Sequence, residues 1–155
     1  MITRAKPGTR YPRIESEIRR HAPRAPVLIA DHRPQGFVDA DGRKVSAPRR
    51  ALVFCGIGNP ERFRHDIRDL GVDVTSFHPF RDHHVYTGAE IDELQQCARS
   101  QDAALVTTEK DLARIEAGDL GSSPTSMIAL RIAAVVHSPE PLLDALRRLG
   151  EPGES

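Results

Sequence analysis

The chain has 155 residues, of which 39% are hydrophobic and 28% are charged, and its 22 basic side chains balance its 22 acidic ones. A chain of this length forms one globular domain whose core needs no disulfide or metal for stability. It contains no run of roughly 20 apolar residues that would make a membrane helix and no secretory signal, which predicts a cytoplasmic protein.

The charges are unevenly placed along the chain. Residues 1–71 carry 15 Lys and Arg against 8 Asp and Glu, whereas residues 72–155 carry 7 against 14. The basic half fits either an anion-facing surface or solvated helix faces. Because aromatic residues are only 5% of the chain and are not interleaved with the basic ones, no nucleic-acid platform is expected. Cys55 and Cys97 form no C-x-x-C motif, so we expect both to be small buried hydrophobic residues.

Short apolar runs alternate with amphipathic segments, which predicts an α/β fold with an open, mostly parallel, Rossmann-like sheet and helices on both faces. We expect residues 1–150 to form a single domain and residues 151–155 to form a flexible tail. The predicted strands are Met1 to Thr3, Pro26 to Ala30, Ala51 to Cys55, Val72 to Phe77, Ala103 to Val106 and Met127 to Ile132. The predicted helices are Tyr11 to His21, Asn59 to Gly71, one that begins at the capping box Thr87 to Glu90, a short one after Thr108, and Pro141 to Leu149.

One segment breaks this alternation. Gly36 to Val45 reads as a β-hairpin, because the Asp41-Gly42 pair supplies the positive φ angles of a tight turn. Since it lies between the second and third predicted strands, we expect residues 36–47 to protrude as an arm or connector.

The first candidate site is a glycine-rich turn between a strand and a helix, in the sequence FCGIGNPERF at residues 54–63. Gly56 and Gly58 allow a sharp turn and a close backbone approach, and Asn59 precedes the free N–H groups of the helix, which suit an anion. The third glycine of a dinucleotide motif and the Lys-Ser/Thr pair of a Walker loop are both missing. The segment therefore fits a structural turn as well as a ligand contact.

The second candidate site is a loop rich in histidine that follows the next strand, in the sequence HPFRDHHVY at residues 78–86. Asp82 beside His83 and His84 can form an acid/base relay, because imidazole titrates near neutral pH and a carboxylate can fix its tautomer. A metal site that uses His78 with these three residues would need further ligands from elsewhere. A loop whose His and Asp side chains cap neighbouring backbone is the remaining alternative.

The third candidate site is the strand end and helix start VTTEKD at residues 106–111. Thr107 or Thr108 can cap the helix, and Glu109 suits its positive end. Lys110 is left either to reach the same rim or to remain solvated. Because the carboxyl ends of parallel strands share one sheet edge, the three motifs predict a single cleft.

The three motifs follow one another as residues 54–63, then FRDHHVYT at 80–87, then VTTEKD. In this order they resemble the C-terminal half of the tetraacyldisaccharide 4'-kinase family. The segment Met1 to Arg4 is similar to the family's strand that ends in Thr-Arg, and residues 36–47 are similar to its two-stranded connector between domains. The resemblance covers nearly the whole chain, and three ordered motifs make it specific.

The resemblance implies a lipid A pathway enzyme that phosphorylates the 4'-position of a lipid A disaccharide precursor, with ATP and Mg²⁺ as cofactors. Family members hold ATP in a Walker-type loop, bind magnesium with acidic residues, and use an aspartate base tuned by a histidine of the second domain. The Asp-His step corresponds to Asp82 and His83, so His83 is the residue implied to pair with the base. The implied phosphate- or nucleotide-binding residues are Arg4, Gly56, Gly58, Asn59, Thr108 and Lys110.

The 155 residues contain no Gly-x-x-x-x-Gly-Lys-Ser/Thr loop and no paired-Asp magnesium motif, and Met1 falls inside a predicted strand. We therefore expect a truncated half that is inactive alone and acts only when a P-loop-containing N-terminal half docks on the rim that carries His83. No tightly bound cofactor or metal is expected. The expected location is the cytoplasm or the inner face of the bacterial inner membrane, with only peripheral or partner-mediated membrane contact.

Two other classes of function remain open from the sequence. A metal-dependent phosphoesterase would use Asp82, His83 and His84, but it needs further aspartates at strand ends. The available ones, Asp31, Asp39 and Asp41, lie at a strand edge or in the hairpin. A non-catalytic binding module would use the cleft or the hairpin to hold a partner.

Overall fold

The computed structural model describes residues 11–117, 127–137 and 139–150. Contacts divide the chain into two compact units. One unit is Pro34–Ile132, and the other comprises the described parts of Met1–Arg33 and Ala133–Ser155. The elements are α1 (Pro12–His21), β1 (Ile29–Val38), β2 (Lys44–Val45), β3 (Arg50–Cys55), α2 (Pro60–Asp69), β4 (Asp73–Pro79), α3 (Gly88–Ser100), β5 (Ala104–Thr108), α4 (Glu109–Ala117), β6 (Met127–His137) and α5 (Glu140–Gly150).

The strands form one sheet in the order β2-β1-β6-β5-β3-β4. Strand β3 pairs in parallel with both β4 and β5, and β5 pairs in parallel with β6. The β1–β2 pair is antiparallel. This arrangement confirms the predicted α/β class with a mostly parallel sheet.

Strand β3 lies inside the core because both of its faces are covered. Leu52 and Phe54 point into a cluster with residues of α3 and α4, such as Ile91 and Leu112. The alternate β3 residues pack on the opposite face with residues of α2, such as Ile67. A parallel strand that is buried on both faces has an unbroken apolar sequence. The helices predicted on both faces from this apolar run are therefore confirmed.

The first strand of the sheet differs from its prediction. The sequence placed a strand at Pro26 to Ala30, whereas β1 begins at Ile29 and continues to Val38. Polar residues and Pro34 argue against a strand here, because proline cannot donate a ladder hydrogen bond. Strand β2 pairs only with Phe37 and Val38. Pro34 therefore lies outside the paired part of β1, where no hydrogen bond to β2 would need its N–H.

The predicted hairpin is present, but its first arm belongs to the core. Phe37 pairs with Val45, and the turn places Gly42 at φ +74°. Phe37 and Val38 are buried, so the first arm is the end of β1 and not a free ribbon. The exposed part is residues 41–44, whereas Val45 is half-buried and packs against the core.

The remaining elements lie close to their predicted positions, although β6 continues past Ile132 to His137. The predicted strand Met1 to Thr3 and the tail at 151–155 lie outside the described residues. Within residues 11–117, 127–137 and 139–150, every helix is too short or too polar to cross a bilayer. The chain divides into two compact units, and whether residues 1–150 form a single domain stays a prediction.

Shortening Ile91 will test the packing between α3 and the sheet. Ile91 is fully buried, so Ile91→Ala should lower the free energy of unfolding by about 2–5 kcal/mol, because a cavity remains where the side chain was. Leu70→Ala is the control, since Leu70 is 38% exposed and should cost much less. Urea denaturation followed by circular dichroism measures both variants. Equal losses in the two would contradict this description of the core.

Candidate functional site

Three loops meet at the carboxyl edge of the sheet. They follow β3 at residues 56–59, β4 at residues 80–87, and β5 at the start of α4. Because β4, β3 and β5 are adjacent parallel strands, their ends lie side by side. All three loops belong to the unit Pro34–Ile132.

The loop after β3 leaves little room for a side chain at its first position. A Cβ atom on Gly56 would lie 3.1 Å from Tyr86 Oη, 3.2 Å from His84 Cβ and 3.3 Å from the Arg81 carbonyl oxygen. The close backbone approach anticipated for this glycine is therefore made to the loop after β4. Gly58 is less confined, since its nearest neighbour would be Asp82 Oδ2 at 3.4 Å.

Backbone hydrogen bonds join the loop after β4 to the loop after β3. The Phe80 N–H donates to the Cys55 carbonyl at 2.8 Å, and the His83 N–H donates to the Gly56 carbonyl at 3.1 Å. His83 adopts a left-handed backbone conformation with φ +59°, which is uncommon for a residue with a side chain. The bond to Gly56 and the turn closed by the His84 N–H, which donates to the Arg81 carbonyl at 3.1 Å, together hold His83 in this conformation.

Asp82 and His83 present their side chains to solvent. The His83 side chain is 72% exposed and that of Asp82 is 53% exposed, with 4.0 Å between His83 Nε2 and Asp82 Oδ1. Asp82 Oδ1 also accepts a hydrogen bond from the His83 N–H at 3.1 Å. Both groups are therefore accessible to a reactant or to another protein segment.

His84 points the other way and belongs to an aromatic cluster. Its ring stacks on Phe80 with 4.6 Å between centroids and lies edge-to-face against Tyr86 at 4.9 Å. His84 Nε2 lies 3.1 Å from Glu90 Oε1. The pKa of Glu90 is lowered, first by its bond from the Thr87 backbone N–H and then by the Thr87 hydroxyl and His84. The same carboxylate completes the predicted capping box with Thr87.

These positions disagree with a metal site built on Asp82, His83 and His84. His84 is committed to Phe80 and Glu90, whereas His83 and Asp82 face solvent. In the part of the chain that the structure describes, no three His, Cys, Asp or Glu side chains gather where they could hold a metal ion. The phosphoesterase alternative therefore loses its proposed centre.

Asp111, which the sequence motifs did not mark as a site residue, is fully buried at the centre of the site. Its Oδ2 accepts the Gly56 N–H at 3.1 Å and the Thr108 hydroxyl at 2.7 Å. Its Oδ1 accepts Arg114 Nη1 at 2.9 Å. The spacing Thr108-x-x-Asp111 was an available signal, because a threonine followed by an acidic residue three positions later is typical of a helix start.

Gly56, His83 and Thr108 are therefore neighbours, as the single-cleft interpretation requires. Thr108 bonds to Asp111, Asp111 bonds to Gly56, and Gly56 bonds to His83. These bonds run between three consecutive strand ends and join them into one unit.

Several predicted phosphate contacts already have internal partners. The Gly56 N–H and the Thr108 hydroxyl bond to Asp111, and the Asn59 side chain caps α2 by accepting the Arg62 N–H at 3.2 Å. Lys110 is exposed, and Arg4 lies outside the described residues. A phosphate-binding role for any of these residues stays a prediction.

The mostly parallel sheet, with the candidate loops at its carboxyl edge, defines an α/β protein, and in that class ligands commonly bind at the carboxyl ends of the strands. The chain matches the sequence profile of the family Tetraacyldisaccharide-1-P 4'-kinase over residues 4–150. This protein therefore belongs to that family.

Curated proteins that are similar in sequence to this chain are named tetraacyldisaccharide 4'-kinase. The chain is 40% identical over 107 residues to a tetraacyldisaccharide 4'-kinase of Desulfotalea psychrophila, a match that covers 66% of this chain and 30% of that protein. It is 48% identical over 99 residues to one from Rhodopseudomonas palustris strain HaA2, covering 63% of this chain and 28% of that protein. The chain thus spans less than a third of the length of these curated relatives.

The fold is also similar to that of a solved structure. A crystal structure of LpxK from Aquifex aeolicus in complex with ATP aligns with a TM-score of 0.55 and 22% identity. The alignment covers 81% of this chain and 37% of that one. At this identity the likeness supports the fold assignment alone.

A methyl group at Gly56 will test the close contact between the loops. Gly56→Ala should lower the free energy of unfolding by about 1–3 kcal/mol, because the Arg81 carbonyl and the aromatic cluster must shift. The matched control Gly58→Ala makes only ordinary contact with Asp82 and should stay close to the parent protein. Thermal and urea unfolding measure the difference, and equal stability of the two variants would contradict the described geometry.

Cys55 should be unreactive while the protein is folded. Burial, reinforced by the Asp111 charge, raises the pKa of the Cys55 thiol to about 12, and only the thiolate attacks an alkylating agent. We expect no carbamidomethylation of Cys55 by iodoacetamide at pH 8 in the native protein and full modification in urea. Peptide mass spectrometry measures each site. Modification of native Cys55 at the rate of an unfolded thiol would contradict its placement in the core.

Proposed function

We propose that this chain forms one wall of the active site of a tetraacyldisaccharide 4'-kinase. The reaction is the ATP-dependent phosphorylation of the 4'-position of a lipid A disaccharide precursor. Membership of the family supports this activity. The observation that carries the site assignment is the hydrogen-bonded rim that presents the exposed side chains of Asp82 and His83.

The rest of the active site must come from a P-loop-bearing segment. Phosphoryl transfer depends on positioning and on neutralising the phosphate charges, which a P-loop, its lysine and magnesium accomplish. The 155 residues contain no Walker loop, and the described residues offer no three ligands for a metal. We propose that such a segment, whether joined to this chain or separate, docks on the His83 rim and holds ATP and Mg²⁺.

His83 is proposed to act on the catalytic base of the docked segment. The base accepts the proton of the 4'-hydroxyl as the oxygen attacks the γ-phosphate. An exposed imidazole can hydrogen-bond that carboxylate, orient it and share its proton, and Asp82 Oδ1 lies 4.0 Å from His83 Nε2 beside it. Lys110 and Arg4 are proposed to face the phosphates, and Gly56, Gly58, Asn59 and Thr108 to shape the loops around them.

The lipid acceptor suggests where this reaction occurs. We propose that the assembled enzyme acts at the cytoplasmic face of the inner membrane, where the acyl chains of the acceptor can stay in the bilayer. This chain reaches that surface peripherally or through the docked segment.

A chimera tests the assignment of His83. In it, this chain replaces the matched segment of the Rhodopseudomonas palustris HaA2 kinase, which is 48% identical over 99 residues. We expect the isolated chain to transfer no phosphate from ATP to the lipid disaccharide and the chimera to transfer it. His83→Ala in the chimera should reduce kcat by about 10²-fold or more, the usual contribution of a positioned acid/base group.

The control for this variant is His65→Ala. His65 is similarly exposed, at 69% against 72% for His83, and pairs with Asp69 on α2, away from the rim. Its replacement should leave kcat within about twofold, as is usual for surface substitutions. Full activity of the isolated chain, or equal effects of the two substitutions, would overturn the proposal.

A further inference from the structure

We propose that Asp111 is a positioning residue that sets the location of His83 through Gly56. The inference rests on the proposed role of His83, but its structural part can be tested without activity. Asp111 does not touch the exposed rim, since it is fully buried beneath the loops.

Each of the side-chain hydrogen bonds described for Asp111 uses its carboxylate as the acceptor, while its backbone N–H donates to the Thr108 hydroxyl at 3.1 Å. A buried carboxylate is costly unless donors surround it. Here Gly56 and Thr108 donate to one oxygen and Arg114 donates to the other. The cost of burying Asp111 is thus offset by bonds that run to two strand ends at once.

Gly56 passes this constraint on to His83. Its N–H is held by Asp111, and its carbonyl accepts the His83 N–H at 3.1 Å. With both groups bonded, rotation of the Gly56 backbone breaks either the hydrogen bond to the Asp111 carboxylate or the one from the His83 N–H. The position of the His83 backbone N–H therefore depends on Gly56 as well as on Asp82 Oδ1, and the position of Gly56 depends on Asp111.

An asparagine at this position cannot replace the carboxylate. Its amide would put an N–H₂ group where one oxygen now accepts, either from Arg114 or from Gly56 and Thr108. Two donors would then face each other in a buried site. In either orientation the Gly56 N–H loses its charged acceptor, so Asp111→Asn is a nearly isosteric way to weaken the link.

Amide hydrogen exchange on the 155-residue chain tests the link directly. In Asp111→Asn, the Gly56 and His83 amides should exchange about tenfold faster relative to the Val53 and Val106 amides, the factor expected when one hydrogen bond to a charged group is lost. Val53 and Val106 lie in β3 and β5 and report global opening. A purely structural loss of stability would accelerate all four amides together.

Asp66→Asn is the matched control. Asp66 is a buried carboxylate bonded to an arginine of its own helix, with 2.7 Å between Arg62 Nε and Asp66 Oδ1. Its replacement should not accelerate the Gly56 and His83 amides beyond the strand amides. If Asp111→Asn does not fold, Arg114→Gln is measured by the same ratio, with an expected increase of about threefold. Unchanged ratios in the folded variant would overturn the proposal.

The active chimera supplies a second readout. Asp111→Asn should lower kcat about tenfold and leave KM for ATP unchanged, whereas Asp66→Asn should change neither by more than about twofold. If Asp111 acts through His83, adding Asp111→Asn to His83→Ala should cause no further loss of kcat. A further tenfold loss in the double variant would overturn the positioning role.

The two proposals fail in different ways. If His83→Ala leaves the chimera active, the proposed function of His83 fails, while accelerated exchange at Gly56 and His83 would still support the structural link. If His83→Ala is inactive and the exchange ratios do not change in Asp111→Asn, only the positioning role of Asp111 fails.

Discussion

The site depends on one constraint, which is the close approach of the loops after β3 and β4 at a residue without a side chain. Gly56 lies so near the Arg81 carbonyl and Tyr86 that a Cβ atom would be too close to both. The Asp111 carboxylate accepts the Gly56 N–H, and the Gly56 carbonyl in turn accepts the His83 N–H. Burial, with the nearby Asp111 charge, raises the pKa of Tyr86 well above its usual range, so the phenol stays neutral beside the carboxylate.

This constraint explains why some polar residues of the site bond internally and others stay exposed. Asp111, Thr108 and Asn59 use their hydrogen-bonding groups to hold backbone, whereas Asp82 and His83 keep theirs exposed. A hydrogen-bonded set of loops that carries two exposed polar groups is suited to act on another protein segment. The arrangement fits a family whose curated members are more than three times as long as the matched part of this chain.

Much of the architecture could be predicted from the sequence, because certain local patterns each indicate one structure. The unbroken apolar run of β3 indicates a buried strand, the capping box at Thr87 indicates a helix start, and the Asp41-Gly42 pair indicates a turn. The long β1 could not be predicted, since tolerance of Pro34 depends on which strand lies beside it. Within the site, motif order indicated that Gly56, His83 and Thr108 would meet. The burial of Asp111 and the separation of His84 from His83 were not predictable, because side-chain direction in a loop depends on tertiary contacts.

The central claim is that three strand ends form one hydrogen-bonded unit around Gly56. The most direct measurement is the set of nuclear Overhauser effects that involve the Gly56 α-protons in isotope-labelled protein at neutral pH. We predict effects to the Tyr86 ring and to the His84 β-protons, because a Cβ atom on Gly56 would lie 3.1 Å from Tyr86 Oη and 3.2 Å from His84 Cβ. Assigned spectra in which Gly56 shows neither effect would contradict the account.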